Sequence, residues 1–215
     1  PKVVFWQELG ADAIYLDEAF NRDFQALEAA KRVSRCQLFL SVNVGCILHC
    51  PLRINHGAYL SHARECPPAA YVDYSLVRCS LARATEAAQL LKAPWIRPED
   101  LGIYEAMGFR AFKIWGRTQG EEWLLRVATA YAQGRYDGDL NDLLDPMDNV
   151  APFGRLPYRL RNARLDGFLA GLRGRPCRLG CGACRYCEEW ASRAVEVEGS
   201  PEEYQRPLRA LLERI

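Results

Sequence analysis

The run Gln37-Leu38-Phe39-Leu40-Ser41-Val42-Asn43 is the tightest constraint on how this chain folds. It is nearly all apolar rather than alternating, as expected for a strand covered on both faces, and such strands belong to parallel sheets flanked by helices. The rest of residues 3–145 supplies the helices. A helical stretch ends at Gly10, and a strand follows over 13–17. A helix over 21–34 takes Asn21 as its N-cap, with Phe24, Leu27 and Ala30 at helical spacing. Further strands are expected over 71–77 and 111–115, with helical stretches around 83–92, 98–107 and 121–133. Strands alternating with helices mark an α/β architecture. Four strands fall short of the eight in a complete barrel, which runs to ~250 residues. The pattern predicts the C-terminal half of a TIM-like (β/α) barrel. The missing N-terminal half is then expected upstream in the same parent chain or on a partner subunit, because strand edges and apolar helix faces would otherwise be exposed.

The tail has a different character. Pro146, Pro152 and Pro157 give 146–160 the composition of a linker. Residues 1–145 therefore read as the partial barrel and 146–215 as a linker plus a cysteine-rich tail. Within 155–178, seven arginines face one aspartate on what reads as a helix-like segment. That opens an RNA-binding module as one class of function. The chain uses 24 arginines but only four lysines, however, so arginine is its habitual basic residue, and a solvated face beside acidic partners is the simpler reading. The net charge is +1, which makes no strong bid for nucleic acid or an anionic membrane. The longest stretch without a formal charge, 36–52, is 17 residues and contains Asn43 and His49, short and polar for a membrane span. The expectation is a cytoplasmic protein cut from something longer, with neither membrane nor DNA as a partner.

Nine cysteines carry the chemistry. An odd count with close spacings argues against a secreted disulfide scaffold. The distal group, Cys177, Cys181, Cys184 and Cys187, reads CxxxCxxCxxC, with Gly180 and Gly182 permitting tight turns. Four thiolates so close together suit a 4Fe–4S cluster, with zinc as the alternative. Its first part also matches the radical SAM fingerprint, but Cys187 can close the fourth iron site, and that motif normally follows an early barrel strand. The proximal group is looser: Cys46, Cys50, Cys66 and Cys79 frame all three histidines, His49, His56 and His62. Cys46 directly follows the strand of 37–43, at the end where α/β sheets carry their sites. Buried packing is the bland alternative for any single cysteine, and Cys36 is left to the core.

An ordered series of motifs resembles peptidase family U-32, the collagenase-like proteins. It comprises Gly-Ala-Asp-Ala-Ile-Tyr-Leu (10–16), Val-Asn-Val-Gly-Cys-Ile-Leu-His-Cys-Pro (42–51), Ser-His-Ala (61–63), Trp-Ile-Arg-Pro-Glu-Asp-Leu (95–101), Tyr-Glu-Ala-Met-Gly-Phe (104–109), Phe-Lys-Ile-Trp-Gly-Arg-Thr (112–118), Tyr-Asp-Gly-Asp-Leu-Asn-Asp-Leu-Leu-Asp (136–145) and Leu-Asp-Gly-Phe-Leu (165–169). The resemblance implies an α/β barrel whose first strands precede this segment. It implies a 4Fe–4S cluster in several members, carried here onto Cys46, Cys50 and Cys79, with Cys66 as the further ligand. Some members are named as proteases; others are needed for oxygen-independent hydroxylation of RNA bases or of ubiquinone precursors.

The residues favour redox chemistry over proteolysis. There is no HExxH zinc helix, no GxSxG elbow and no P-loop. A Cys–His dyad can be drawn from Cys50 or Cys66 to His56 or His62, but a thiolate committed to iron is not also a nucleophile. One or two 4Fe–4S clusters would pass single electrons. Lys113, in a largely apolar strand, is either salt-bridged or functional. Arg117, on the turn that follows, is placed to clamp a carboxylate or phosphate. Arg97, Glu99 and Asp100 open a helix after Pro98, and Asp17 and Glu18 are weaker candidates on the same rim. A collagenase-like peptidase is the runner-up, and a non-catalytic, metal-stabilised interaction module comes third.

Overall fold

A computed structural model describes residues 2–62, 73–145, 154–175, 177, 181 and 184–214. Its centre is a three-stranded parallel sheet in the order β1 (Ala13–Tyr15), β2 (Gln37–Ser41), β3 (Ala111–Lys113). Ile14 sits opposite Leu38, and Leu40 opposite Phe112. The chain is therefore mixed α/β, as the alternation of its sequence required. β2 is the middle strand, and the buried run continues past it through Val42, Asn43 and Val44. Asn43 is fully buried and stitches neighbouring segments together: its Nδ2 donates to the carbonyls of Trp115 and Leu143, both at 3.1 Å, while its Oδ1 accepts from Trp115 N–H at 2.7 Å.

The helices follow from local signals. α1 (Lys2–Glu8) precedes β1. α2 (Phe24–Val33) starts one cap later than expected: Asp23, not Asn21, accepts from Ala26 N–H. Asn21 is instead buried in a 3₁₀ turn over Glu18–Arg22, where its Nδ2 donates to Ser41 and Pro94 carbonyls, both at 2.7 Å. α7 (Glu121–Gln133) lies where the 3.6-residue period placed it. Trp123, Val127, Ala130 and Tyr131 form its buried stripe, two glutamates sit in its first turn, and Gly134 ends it at φ 65°.

The strand expected over 71–77 is overturned from residue 74 onward; Tyr71 and Val72 lie outside the described residues. Asp73 caps α4 (Tyr74–Thr85) by accepting from Leu76 N–H at 2.9 Å, and Val77, Ser80 and Ala84 are buried at helical spacing. The apolar alternation is thus the first turn of a helix. The stretch 83–92 is likewise divided, α4 ending at Thr85 and α5 running Ala88–Lys92. α6 (Leu101–Ala106) follows a 3₁₀ turn opened by Pro98.

The linker reading fails at 158–160, which form β4 (Tyr158–Leu160), paired antiparallel with β5 (Val195–Val197). The arginine-rich stretch is not helix-like over its described residues, where the regular elements are β4 and short 3₁₀ turns at Asn162–Leu165 and Ala170–Leu172. α8 (Tyr186–Ala194) packs on α5, and α9 (Pro201–Leu212) on α4. One cluster of buried apolar residues runs from Phe24 and Leu27 through Trp95 and Phe168 to Leu208. Among the described residues no helix is long and apolar enough to cross a membrane.

Candidate functional site

The segments that leave the C-terminal ends of β1 and β2 enclose a cavity of about 330 Å³, lined among others by Asp17, Glu18, Cys46, His49, Cys50 and Arg53. This is the end of a parallel sheet where ligands bind, because side chains from successive loops converge there. The guanidinium of Arg53, from the first turn of α3 (Arg53–His62), grips Asp17 with two parallel bonds of 2.9 and 2.8 Å and reaches Glu18 at 2.6 Å. The Arg53 hydrogen bond holds the Asp17 carboxyl below its ordinary range. Glu18 goes the other way: burial raises it, against the pull of Arg53 and Lys113. Two adjacent carboxylates on one guanidinium are thereby made unlike, one half-exposed and shifted down, the other buried and shifted up.

Cys46 borders the same cavity. Burial pushes its thiol up to about 11, although Arg83 acts in the opposite direction. Arg83 itself is buried, donating to Gly45 carbonyl at 2.7 Å and to Cys79 Sγ at 3.3 Å. It therefore brings Cys79 of α4 into the electrostatic neighbourhood of Cys46, 33 residues earlier in the chain. His49 adopts φ 55°, a left-handed conformation rare for a side chain with a Cβ, in the turn that presents Cys50.

The proximal residues thus divide. Cys46, Cys50 and His49 share the cavity wall, and Cys79 stands behind it. His56 turns to Asp73, Nε2 to Oδ2 at 2.9 Å. His62 ends α3, exposed to solvent. Cys66 lies outside the described residues. Lys113 is exposed at the end of β3, its Nζ 4.9 Å from the centre of the Tyr15 ring and 5.3 Å from that of Trp115, and its charge acts on Glu18. Arg117 is exposed on the following turn. Arg97 and Asp100, read as a helix start, are also a buried ion pair at 2.7 Å. A second hollow, about 910 Å³ and lined by Arg97, Glu99, Arg126 and Asp166 among others, is larger. Several of its polar groups already bind one another, as in Arg97 with Asp166 and Asn162 with Glu99. The smaller cavity at the strand ends is the better site.

The distal cysteines are neighbours. Cys177 is acted on by Cys184 and Cys181, and Cys187 by Cys177 and Cys181. Burial raises both Cys177 and Cys187, the latter to about 12, and Arg22 pulls both back. The cysteines sit beside an aromatic group in which Tyr186 stacks on Phe168 at 5.5 Å and donates its hydroxyl to Phe168 carbonyl at 2.8 Å. Gly171 is required here, since a Cβ would strike the Tyr186 hydroxyl. All eight described cysteines are free thiols, and among the described residues no three His, Cys, Asp or Glu side chains already stand in ligating geometry. Cys36 is half-buried rather than in the core, its Sγ 2.8 Å from Ala11 carbonyl.

Sequence reasoning ranked Asp17 and Glu18 low and missed Arg22, Arg53 and Arg83. The one available signal was an arginine within three residues of Cys50 and another within four of Cys79. The arginine run of the tail is largely internally paired: Arg155 with Asp139, Arg159 with Glu198, and Arg161 and Arg164 with Glu196.

No family model and no solved structure matches the chain. An uncharacterized protease of Methanocaldococcus jannaschii is 36% identical to it over 197 residues, 92% of this chain and 57% of that protein. The chain thus spans little more than half the length of this relative. Identity at this level over 92% of the chain makes it similar to a protease-like protein, in agreement with the U-32 resemblance of its motifs.

Proposed function

We propose that this chain is the sheet-and-tail part of a U-32 iron–sulfur protein that supports an oxygen-independent redox modification, hydroxylation of an RNA base or of a small aromatic substrate. The observation that carries this reading is the convergence of cysteines from separate segments. Cys46 and Cys50 line one cavity at the strand ends, and Arg83 bridges from the Gly45 carbonyl to Cys79 Sγ beside it. Those residues suit metal ligation, in which the proton is displaced. Cys46, Cys50 and Cys79 would hold a 4Fe–4S cluster with Cys66, and Cys177, Cys181, Cys184 and Cys187 a second centre of iron–sulfur or zinc. A bound 4Fe–4S cluster supplies one-electron transfer. The chain's own residues do the rest: Arg53 and Asp17 form a charged clamp at the cavity mouth, Glu18 adds a buried carboxyl within reach of Arg53, and Lys113 and Arg117 add positive charge at the end of β3. Hydroxylation with water as the oxygen source releases two electrons and two protons, so the reaction also needs an electron-acceptor protein.

The fold supports a barrel completed from outside these residues. Phe5, Trp6, Leu9 and Tyr15 are more than half exposed, all on α1, β1 and the turn between them. An apolar flank beside β1, which pairs on one side only among the described residues, is what an N-terminal half-barrel of the parent chain, or a partner subunit, would cover. Anaerobic purification with an iron and sulfide count tests the redox reading. About eight irons per chain support two clusters, and zinc without visible absorbance defeats it.

The peptidase reading is favoured by a different observation, the His56–Asp73 pair, which orients an imidazole as a general base requires. A Cys66→Ala variant that loses cleavage while retaining its cluster would establish it. RNA binding through the tail comes third, because four of its arginines are occupied by carboxylates.

A further inference from the structure

Among the described residues, no carboxylate pairs directly with the buried guanidinium of Arg22. The residue is 2% exposed. Its Nη2 donates to Ala93 carbonyl at 2.7 Å, whereas Nε and Nη1 are buried with no hydrogen-bond partner among the described residues. The rings of Trp95 and Phe168 flank it at 4.4 and 5.2 Å and recover part of the lost hydration. The carboxylate that acts on it, Asp100, is committed to Arg97 through bonds of 2.7 and 3.1 Å. Tyr104, also within its field, spends its hydroxyl on Asn21 carbonyl at 2.6 Å. The remaining groups that act on it are Cys177 and Cys187. A buried charge left unpaired is strongly destabilising, and folded proteins pair such charges or neutralise them.

We propose that Arg22 is the buried counter-cation of a metal–tetrathiolate centre on Cys177, Cys181, Cys184 and Cys187, its two unpaired donors reserved for the cysteine sulfurs. The inference rests on the reading of this group as a metal centre. Free thiols are neutral and offer Arg22 little. Four thiolates around zinc, or around an oxidised 4Fe–4S cluster, carry a net double negative charge, and hydrogen bonds to such sulfurs are a principal means by which a protein tunes the centre. Arginine suits the position better than lysine, since its planar fork can serve a backbone carbonyl and two sulfurs at once. Arg22 belongs to the turn between β1 and α2, whereas the cysteines belong to the tail. Metal loading would therefore fasten the tail to the sheet layer, with Phe168 and Trp95 between them.

The test uses the full chain, wild type and Arg22→Met, without metal, loaded with zinc, or reconstituted anaerobically with iron and sulfide. Metal content of the wild type against a Cys177→Ser/Cys187→Ser variant comes first. Equal content overturns the metal reading and the proposal together, before Arg22 is altered; whichever metal the wild type retains identifies the centre. Arg22→Met is then expected to raise the melting temperature of the metal-free chain and to weaken the retained metal by about 10–100-fold. Equal loss of stability in both forms with unchanged affinity overturns the role of Arg22 while leaving the centre intact. Should the variant not fold, the Nε–H resonance of Arg22 in the wild type replaces it. It should shift and exchange more slowly on zinc loading, and an unchanged signal overturns the proposal.

Discussion

At the scale of single residues, the molecule's polar chemistry depends on three arginines that fix groups distant in sequence. Arg53 serves Asp17 and Glu18, Arg83 serves Gly45 and Cys79, and Arg22 stands against Cys177 and Cys187. Apart from Arg83 and Cys79, four residues apart on α4, these pairings have no period and could not be read from spacing alone; only the cysteines and the rim carboxylates were visible. Glu18 permits a clear test. Burial raises its carboxyl above its ordinary value of 4.5, so the folded chain holds this proton to a higher pH than the unfolded chain does. Between those two values the native state binds more protons, and the contribution of Glu18 to stability falls as pH rises. Glu18→Gln removes the titration. The variant should gain on wild type as pH climbs from 4.5 through that window and keep the gain at neutral pH. Urea unfolding at a series of pH values measures it, and a gain that shrinks with rising pH would refute the assignment.

At the scale of elements, β2 and α7 were legible because each satisfies a single rule throughout: a continuous apolar run in one, a 3.6-residue stripe ended by glycine in the other. The region of 71–77 obeyed two rules at once. Tyr71, Val72, Tyr74, Leu76 and Val77 have strand-forming character, yet Asp73 is placed to cap a helix, and the buried positions Val77, Ser80 and Ala84 continue beyond the seven residues that suggested a strand. Asp73 has a second task, accepting from His56 across to α3. Asp73→Ala should therefore cost about 1–2 kcal/mol, the loss of a helix cap. His56→Ala should cost less, since a partly exposed pair contributes ~0–1 kcal/mol. Chemical denaturation ranks the two; equal losses would mean that the His56–Asp73 hydrogen bond, rather than the cap, holds this end of α4.

At the scale of the whole molecule, the division at residue 146 separates chemistry rather than folding. The proximal cysteines sit on the sheet side and the distal ones in the tail, but the apolar core does not respect that boundary. Tyr158 donates its hydroxyl to Ala84 carbonyl at 3.0 Å, Gln205 does the same through its amide at 2.8 Å, and Lys92 of α5 pairs with Glu188 of α8 at 2.7 Å. Leu208, fully buried, belongs to the same cluster as Leu27 and Trp95. Sequence could not supply this, because proline content reports a break in regular structure and not a break in packing. A tail that shares its core with the sheet should unfold with it. Leu208→Ala removes side-chain volume from a site with no solvent exposure and should cost about 2–5 kcal/mol. The loss should lower the unfolding midpoint seen by tryptophan fluorescence, which includes Trp95 and Trp123 on the sheet side, as much as the midpoint seen by backbone circular dichroism. If the tail were an independent unit, the fluorescence change would divide into two transitions, and only the portion from Trp190 on α8 would move.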